Sequence, residues 1–503
     1  MGKTSITGAL ISLDIERQSE KPLHRQIAGR LRDAIASGQL PSGLRLPSTR
    51  VLAKEIGVSR NTVLQVFEAL AEEGLLTGKV GAGTFVAALQ PKLDVDAASH
   101  VLADRDDGYP FRSLSRRGRS LLASSNEAFS ERPAPFMPDL PDLRAFPMRT
   151  WLRLLHEISG RLIGKNLAVA SSAGYEPLRR AIALSLNASR GMACDYAQVI
   201  VTTGSQQSLD LVCSLLIDPG DPVWIEEPGY IGAQAVIKAN GAVIHPVAVD
   251  RDGFCVDDAL ATKPAPRLVY VSPSRQYPLG ATLSMERRKA LLDLAKSSGA
   301  FIVEDDYDQE FRYANAPLPA IFGLDGASRT FYIGTFSKSL LPSFRLGFVV
   351  VPPDFAAAFA KARAVVDRHA SLIEQMVLSE FMERGLFAAH VRRMRVLYRK
   401  RQQMLVAGLR ALLGADIAVS ATDTGMHIIL PLKPGADDVA LACELAARGV
   451  VSRPLSPYYT GQDKARGLLF GFAAFSPEEI SKGMTRLSSA GVDLSAVVER
   501  VAF

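Results

Sequence analysis

The segment with the clearest potential for chemistry runs from Phe331 to Phe348 and places Lys338 directly after a short apolar run. Ser337 precedes this lysine, and Arg345 follows it by seven residues. A lysine amine in a dry pocket loses its proton more readily and can form a Schiff base with an aldehyde, while serine and arginine can hold a phosphate. The segment therefore predicts a site for pyridoxal 5'-phosphate (PLP), an aldehyde cofactor that carries a phosphate.

Short runs rich in Val and Ile alternate with helical patterns from about Phe136 onward. The runs cover residues 199–202, 222–225, 268–271, 300–303 and 330–333. Buried strands that alternate with helices are typical of a mainly parallel sheet in an α/β domain. Ligands of such sheets bind at the carboxyl ends of the strands, so the residues that follow these runs are candidates for a site.

Polar residues at three of these strand ends complete the predicted cofactor site. After the first run, Ser205 and Gln206 open a helix whose backbone N–H groups and dipole favour a phosphate. After the second, Tyr230 lies on a turn, where it either packs or contacts a cofactor ring. After the fourth, Asp305 is a carboxylate at a buried strand end, which is costly without a cationic partner. A protonated pyridine nitrogen is such a partner, and Tyr307 could donate to the ring phenolate oxygen.

The first 88 residues carry patterns of a different kind. Apolar residues recur at every fourth position over residues 23–35, which predicts a first helix. Ser48 and Ser59 can each cap a further short helix. Two strand-like pieces at 75–77 and 85–86 then flank a glycine-rich turn. This order predicts a winged helix-turn-helix.

The third predicted helix presents a polar face at its N-terminus. A tight turn at residues 56–59 leaves Arg60, Asn61, Thr62 and Gln65 on the outer side of this helix. These side chains suit DNA base edges and phosphates. The helices alone would fit a generic small domain equally well.

The motifs of residues 20–87 resemble the GntR family of bacterial repressors in order and spacing. They read Leu-Arg-Leu-Pro-Ser-Thr-Arg, Gly-Val-Ser-Arg-Asn-Thr-Val and Gly-Ala-Gly-Thr-Phe-Val. The resemblance implies that Arg45, Ser48 and Arg50 contact phosphates, that Ser59, Arg60, Asn61 and Thr62 face the major groove, and that Gly81, Gly83 and Thr84 form the wing. Leu64 stands where some members have another basic residue, so base contacts are expected to depend more on Arg60.

Residues 89–130 show little sustained periodicity and are predicted to link a DNA-binding domain, 1–88, to a PLP-binding domain, 131–503. The segment holds scattered aspartates and then a basic cluster of Arg112, Arg116, Arg117 and Arg119. Such a cluster is most often solvated. The alternative is that it adds phosphate contacts near the DNA.

The strand-end residues and the segment around Lys338 resemble fold-type I PLP enzymes of the class I and II aminotransferase group, over about residues 135–500. The resemblance implies that Lys338 forms the Schiff base, Asp305 contacts the pyridine nitrogen, Tyr307 contacts the phenolate oxygen and Tyr230 stacks on the ring. It also assigns the cofactor phosphate to Ser205, Gln206, Ser337 and Arg345.

The fusion of both parts resembles the MocR subfamily of GntR-type regulators. The fold class it implies is multidomain, with a small α+β winged helix-turn-helix and a large α/β fold-type I aminotransferase-like domain whose central sheet is mainly parallel. The resemblance further implies a head-to-tail homodimer.

Two positions depart from a working aminotransferase. Tyr277 precedes a proline where such enzymes usually have an Asn-Pro turn, so the cofactor electronics are expected to differ. Leu469 stands where they place an arginine for the substrate carboxylate. Arg453 or Arg466 could replace that arginine, although a lone arginine on an irregular segment is more often solvated. The effector is then PLP itself, an amine, or an unusual amino acid held by other groups.

Length, composition and charge limit the number of domains, the kinds of metal site and the cellular locations that the chain can have. A chain of 503 residues needs more than one core, and its net charge of +6 permits an anionic partner without demonstrating one. The four cysteines lack the spacing of a zinc site or a disulfide framework, and no second carboxylate cluster supports magnesium near Asp305, so no metal is expected. The sequence has neither a secretion signal nor an apolar run of ~18 residues, which predicts a cytoplasmic protein.

The sequence therefore predicts a PLP-dependent transcriptional regulator that binds double-stranded promoter DNA and senses PLP or its adduct with an amine or amino acid. Such a protein is not an enzyme, although a slow half-transamination is compatible with it. The alternative is a PLP-dependent aminotransferase that acts on an amino compound and carries a DNA-tethering domain. An enzyme releases a keto acid, whereas a sensor stops at the adduct and shifts between two states.

Overall fold

The chain forms two compact units, Met1–Arg112 and Ser113–Phe503. The computed structural model describes residues 21–79, 83–87, 114–123, 133–160, 170–313, 318–326, 328–419, 421–461, 464–489 and 494–500. Within these ranges, no helix combines the length and apolar character needed to cross a membrane.

The N-terminal unit contains three helices and an antiparallel hairpin, as the sequence predicts. Its elements are α1 (Leu23–Ala36), α2 (Thr49–Ile56), α3 (Arg60–Glu72), β1 (Leu76–Lys79) and β2 (Gly83–Val86). The Ser48 and Ser59 hydroxyls cap α2 and α3 by accepting hydrogen bonds from backbone N–H groups of the first turns. Gly57 ends α2 in the left-handed conformation, φ 67°, which allows the tight turn into α3.

Apolar residues from all three helices and the hairpin form one core in this unit. Leu31, Leu52, Val63 and Leu70 are fully buried there. Each such side chain stabilises the unit by about 1.5–3 kcal/mol relative to an exposed one. The core fixes α3 against α1 and α2 and leaves the N-terminal turn of α3 exposed.

The large unit contains an eight-stranded sheet with helices on both faces. Its strands are β3 (Val199–Thr202), β4 (Pro222–Glu227), β5 (Val243–Asp250), β6 (Gly253–Phe254), β7 (Leu268–Val271), β8 (Phe301–Asp305), β9 (Thr330–Thr335) and β10 (Gly347–Val350). The strand order is β3-β10-β9-β8-β7-β4-β5-β6. The helices of the unit are α4 (Arg116–Ala123), α5 (Met148–Ser159), α6 (Glu176–Arg190), α7 (Ser205–Leu216), α8 (Ile231–Ala239), α9 (Val256–Thr262), α10 (Met285–Ser298), α11 (Ile321–Leu324), α12 (Ala356–Val366), α13 (Leu372–Glu383), α14 (Leu386–Leu413), α15 (Asp438–Ala447), α16 (Pro477–Ser488) and α17 (Leu494–Val497).

The prediction of a mainly parallel sheet is confirmed. Neighbouring pairs among β4, β5, β7, β8 and β9 are parallel, and the five predicted runs all form strands. β10 runs antiparallel to both β3 and β9, and β6 runs antiparallel to β5. Alternate residues of the buried strands face opposite cores, as Val199 and Ile200 do. The parallel order brings the carboxyl ends of β4, β7, β8 and β9 to one edge.

A second, three-stranded antiparallel sheet lies in the C-terminal part of this unit. Its strands are β11 (His427–Leu432), β12 (Arg453–Pro454) and β13 (Arg466–Gly471), in the order β11-β13-β12. Buried residues of this sheet pack with those of α14 and α16 in a single core. In the β12–β13 pairing, Arg453 lies opposite Leu469.

Part of the predicted linker 89–130 forms a helix on the large unit. α4 packs against α8, and Arg117 forms an ion pair with Asp210 at 3.2 Å. Arg116 and Arg119 are exposed, as expected of a solvated basic cluster, whereas Arg112 lies outside the described residues. The proposed linker therefore includes a segment that is held by the large unit.

Candidate functional site

A cavity of about 520 Å³ in the large unit collects the residues predicted for the cofactor. This volume is in the range of small-molecule sites. All eight predicted residues line it: Ser205, Gln206, Tyr230, Asp305, Tyr307, Ser337, Lys338 and Arg345. The structure therefore brings together residues that are spread over about 140 positions of the sequence. Their individual roles toward the cofactor stay predictions.

One end of the cavity suits a phosphate. Gly204 precedes α7 with φ 140°, and a Cβ built on it would lie 3.4 Å from Nη2 of Arg345. The guanidinium thus lies close to the N-terminus of α7, where free N–H groups also favour an anion. Arg345 itself adopts the left-handed conformation, φ 49°, a costly geometry that is often found at functional sites. Within the described residues, no hydrogen bond or ion pair occupies its guanidinium, which is therefore available to a ligand.

Another part of the cavity wall offers an acceptor for a ring nitrogen. The Asp305 side chain is buried, and its Oδ2 accepts a hydrogen bond from the Tyr270 hydroxyl at 2.6 Å. Among the described residues, nothing donates to its buried Oδ1. Burial raises the pKa of Asp305 to about 6, although the Tyr270 hydrogen bond opposes the shift. A protonated pyridine nitrogen would satisfy Oδ1 and stabilise the carboxylate, so the site fits PLP.

A buried charge network fixes the strand end that carries Asp305. Arg190 forms an ion pair with Asp306 at 2.7 Å, with both side chains almost fully buried. The Tyr332 hydroxyl donates to the same carboxylate at 2.8 Å. Glu304 accepts hydrogen bonds from two backbone N–H groups at the start of α11. These contacts leave the Asp305 carboxylate as the acid of this strand that faces the cavity.

Lys338 and Tyr307 also line the cavity. The Lys338 ammonium donates to the backbone carbonyl of Asp139 at 3.1 Å. The Tyr307 hydroxyl accepts a hydrogen bond from Nη1 of Arg275 at 3.1 Å. Burial holds the pKa of Tyr307 well above its ordinary value, and nearby Asp308 adds to the shift. The hydroxyl therefore keeps its proton, which it can donate to the phenolate oxygen of a bound cofactor.

Tyr277 occupies the centre of an aromatic cluster in the cavity. Its ring packs edge-to-face with Tyr230, Tyr307 and Tyr458 at centroid distances of 5.9, 5.6 and 5.4 Å. Its hydroxyl donates to Oδ2 of Asp139 at 2.6 Å. Tyr277 thus packs against the predicted ring platform and also fixes an acidic residue.

Sequence reasoning missed this acidic residue, Asp139. Its Oδ2 also accepts a hydrogen bond from Nη1 of Arg453 at 2.6 Å. Burial alone would raise the pKa of Asp139, but the charges of Lys338 and Arg453 hold it well below its usual range. The expectation that a lone Arg453 is solvated is therefore wrong, because a buried carboxylate pairs with it. Arg466 instead lies outside the cavity lining and pairs with Asp438 at 3.3 Å.

Two further site residues were missed. Arg275 is buried and positions Tyr307 while it also contacts Asp308 at 3.4 Å. His427 is buried at the start of β11, with Nδ1 3.7 Å from Oδ1 of Asp139. The polar run that contains Arg275, directly after β7, was a signal that could have identified it as a site residue. No comparable signal marks His427, which lies in an apolar strand.

The residues predicted to contact DNA form exposed parts of the N-terminal unit. Seven of the ten are exposed, Thr62 and Thr84 are half-buried, and Gly81 lies outside the described residues. The seven exposed residues are Arg45, Ser48, Arg50, Ser59, Arg60, Asn61 and Gly83. A Cβ built on Gly83 would lie 2.9 Å from Nε of Arg45. The Arg45 side chain therefore lies against the hairpin.

Family comparisons divide the chain as the fold does. Residues 23–86 match the bacterial regulatory proteins of the gntR family, and residues 147–487 match the aminotransferases of class I and II. The chain is 39% identical over 484 residues to the probable rhizopine catabolism regulatory protein MocR of Rhizobium meliloti, a match that covers 96% of this chain and 97% of that protein. It is 28% identical to the pyridoxine biosynthesis transcriptional regulator PdxR of Corynebacterium glutamicum, over 92% of this chain and 95% of the relative.

Solved structures of PLP enzymes share the fold of the large unit. The α-aminoadipate aminotransferase LysN from Thermus thermophilus, complexed with N-(5'-phosphopyridoxyl)-L-leucine, aligns with a TM-score of 0.65 and 28% identity. The alignment covers 78% of this chain and 97% of LysN. The fold and the site thus define a GntR-type winged helix-turn-helix protein with a fold-type I aminotransferase domain whose cofactor is PLP. The chain belongs to the MocR subfamily of GntR-type transcriptional regulators.

The raised pKa of Asp305 predicts how cofactor affinity depends on pH. The ionised carboxylate is the form that pairs with a pyridinium, and it predominates only above about pH 6. We expect the PLP affinity of the wild type, relative to Asp305→Asn, to fall about tenfold between pH 7 and pH 5. The dissociation constant of PLP, measured by absorbance at both pH values, gives this ratio.

Taking the ratio to Asp305→Asn cancels the titration of PLP itself. Asp257→Asn, which removes an exposed carboxylate on α9, serves as a matched control and should follow the wild type. A constant ratio between the wild type and Asp305→Asn would show that the ionisation of Asp305 does not contribute to cofactor binding.

Proposed function

We propose that the PLP domain of this regulator senses PLP, or an adduct of PLP with an amine or amino acid, and thereby alters promoter binding. The main support is that a complete set of candidate PLP contacts lies in one cavity of a chain that also carries a GntR-type DNA-binding unit. For a ligand to act in this way, its affinity must differ between two states of the protein.

In this proposal, each residue of the cavity contacts a particular part of the cofactor. Lys338 holds it covalently, and Ser205, Gln206, Ser337 and Arg345 hold its phosphate. Asp305 keeps the ring nitrogen protonated, while Tyr307 donates to the phenolate oxygen and Tyr230 stacks on the ring. The aldehyde carbon of bound PLP would exchange the Lys338 amine reversibly for another primary amine.

We propose further that the protein does not complete a transamination cycle. Leu469 is fully buried at the position where the resemblance places a carboxylate-binding arginine. The nearby Arg453 is already engaged by Asp139, so an amino acid would be poorly oriented for repeated turnover. A slow half-reaction remains compatible with the site. The enzyme alternative predicts catalytic release of a keto acid from an amino donor.

The remaining partners follow from the same proposal. The DNA-binding residues named above would contact double-stranded promoter DNA in the bacterial cytoplasm. The large units would pair head-to-tail in a homodimer. A dimeric regulator can present two recognition helices to the DNA, which explains why such proteins bind paired half-sites.

The test is binding of the full-length protein to DNA upstream of its own gene and of the adjacent genes, with and without PLP. We expect specific binding whose dissociation constant changes several-fold with PLP at one fixed salt concentration. A scrambled sequence of equal length is the control for non-specific binding. Absence of any preference for the promoter, together with keto acid release, would favour the enzyme instead.

A further inference from the structure

The register between β7 and β8 places Tyr270 on the same face of the central sheet as Asp305. The two strands are parallel, and Tyr270 lies opposite Val303. Successive residues of a strand point to opposite faces, so Val303 and Asp305 share one face with Tyr270 beside them. Tyr270 and Val303 belong to the same buried core, and both Tyr270 and Asp305 line the cavity.

The Asp305 carboxylate depends on Tyr270 for hydrogen bonding. The Tyr270 hydroxyl donates to Oδ2 at 2.6 Å, and within the described residues this is the one hydrogen bond that the carboxylate accepts. The next carboxylate along the chain, Asp306, has both an ion pair with Arg190 and a hydrogen bond from Tyr332. Asp305 therefore differs from Asp306, because the loss of one partner would leave it buried without a donor.

This contact has two effects on the carboxylate. A hydrogen bond from a neutral hydroxyl favours the ionised form of an acid. The contact at Oδ2 also restrains the rotation of the carboxylate and leaves Oδ1 as the acceptor for a ligand. Burial holds the pKa of Tyr270 well above its ordinary value, so the hydroxyl keeps its proton and remains the donor.

The other ionisable groups around Asp305 do not replace this hydrogen bond. Burial raises the pKa of Glu226 to about 8, so its side chain carries no charge at neutral pH. Burial also keeps the pKa of Tyr230 above its ordinary value. The charges of Asp306 and Lys338 shift the pKa of Asp305 in opposite directions. The full set of groups that face Asp305 is Glu226 on β4, Tyr230 before α8, Tyr270 on β7, Asp306 after β8 and Lys338 after β9.

We infer that Tyr270 is a positioning residue for the cofactor, whose hydroxyl keeps the Asp305 carboxylate ionised and oriented so that it can bind a protonated ring nitrogen at neutral pH. The inference rests on the role of Asp305 in the proposed function and adds the residue on which that role depends. Tyr270 acts through Asp305, because its hydroxyl proton is engaged by Oδ2.

The test compares Tyr270→Phe with the wild type in the full-length protein. Phenylalanine keeps the ring in the core and removes the hydroxyl alone. The dissociation constant of PLP is measured by absorbance from pH 5 to pH 8, and each value is divided by that of the same protein with Asp305→Asn. Loss of the hydrogen bond raises the pKa of Asp305, so the affinity that needs the ionised carboxylate should be lost at a higher pH.

We expect the midpoint of this fall in affinity to move upward by about one pH unit in Tyr270→Phe. Between pH 8 and pH 6, the variant should then lose about fivefold more affinity than the wild type. In the Asp305→Asn background, Tyr270→Phe should change the PLP affinity by less than about twofold, because the hydroxyl acts through the carboxylate.

Tyr398→Phe is the matched control. Tyr398 and Tyr270 are both 1% exposed, but Tyr398 lies outside the cavity lining, where its hydroxyl accepts a hydrogen bond from the N–H of Asp142 at 2.9 Å. This variant removes the same group from another part of the core and should keep the wild-type midpoint.

An unchanged midpoint in Tyr270→Phe would overturn the inference. An equal loss of affinity with and without Asp305→Asn would also overturn it, since the tyrosine would then act through packing. If Tyr270→Phe held no PLP at any pH, retained binding in the double variant with Asp305→Asn would support the inference, and loss in both would overturn it.

The inference can fail while the proposed function stands. A wild-type ratio to Asp305→Asn that does not change with pH would remove the role of Asp305 and, with it, that of Tyr270. A ratio that falls in the wild type but has the same midpoint in Tyr270→Phe would remove the role of Tyr270 alone. Loss of specific promoter binding would instead contradict the proposed function and would leave these PLP measurements unchanged.

Discussion

Replacing Lys338 with alanine is expected to abolish the covalent attachment of PLP and to weaken its binding by at least about 100-fold. The remaining contacts, at the phosphate end and at Asp305, can hold the cofactor only non-covalently. The dialysed variant should lack visible cofactor absorbance, and borohydride reduction should add no cofactor mass to it. In the wild type, the same reduction should add this mass to the peptide that contains Lys338.

Lys361→Ala provides a matched control, because this exposed lysine on α12 lies outside the cavity lining. It should retain the absorbance of the wild type. A reduced adduct that persists in Lys338→Ala would show that another amine carries the cofactor. If the variant still changed its DNA affinity normally with PLP, the covalent link would not be needed for the response.

Replacing Arg60 with alanine is expected to weaken promoter binding by about 1–3 kcal/mol and to relax specificity at one base pair. Arg60 is the first residue of α3 and is exposed directly after the Ser59 cap. Because its side chain is not part of the core, the free energy of unfolding should change little. Titrations with the promoter and with single-base variants of it at constant salt measure both effects.

Arg32→Ala removes the same charge from the same unit and is the control for this experiment. Arg32 pairs with Glu73 at 2.6 Å in an exposed ion pair, which contributes little to stability. We expect it to alter promoter affinity far less than Arg60→Ala does. An equal loss in both variants, or a loss in Arg60→Ala that is the same for every sequence, would contradict a base contact by Arg60.

The parts of the fold that the sequence predicted are those with strong local signals. Five buried apolar runs became strands of the central sheet, and serine caps marked α2 and α3. β5 was missed because it is only partly buried and contains Pro246, so it lacks a continuous apolar run. β10 was missed because its four residues, Gly347–Val350, follow directly on the segment around Lys338 without a helical pattern between the two strands.

The cofactor side of the site was predictable because its residues directly follow strands or open a helix. The opposite side was not, because Asp139 lies on an irregular segment whose position depends on contacts with β13, more than 300 residues away. The same separation explains why Arg453 was wrongly expected to be solvated. Its partner, Asp139, lies more than 300 residues away and leaves no signal near Arg453 in the sequence. Long-range pairing of this kind leaves no periodic pattern.

The division of the cavity between two sets of elements has a consequence for engineering. The residues predicted to anchor the cofactor come mostly from the ends of the large sheet and from α7, whereas Asp139 and Arg453 come from the segment before α5 and from β12. Substitutions at Asp139 and Arg453 can therefore change which small molecule is detected while the anchoring residues stay untouched. A library confined to these two positions is a compact starting point for biosensors that report new amines through an unchanged promoter.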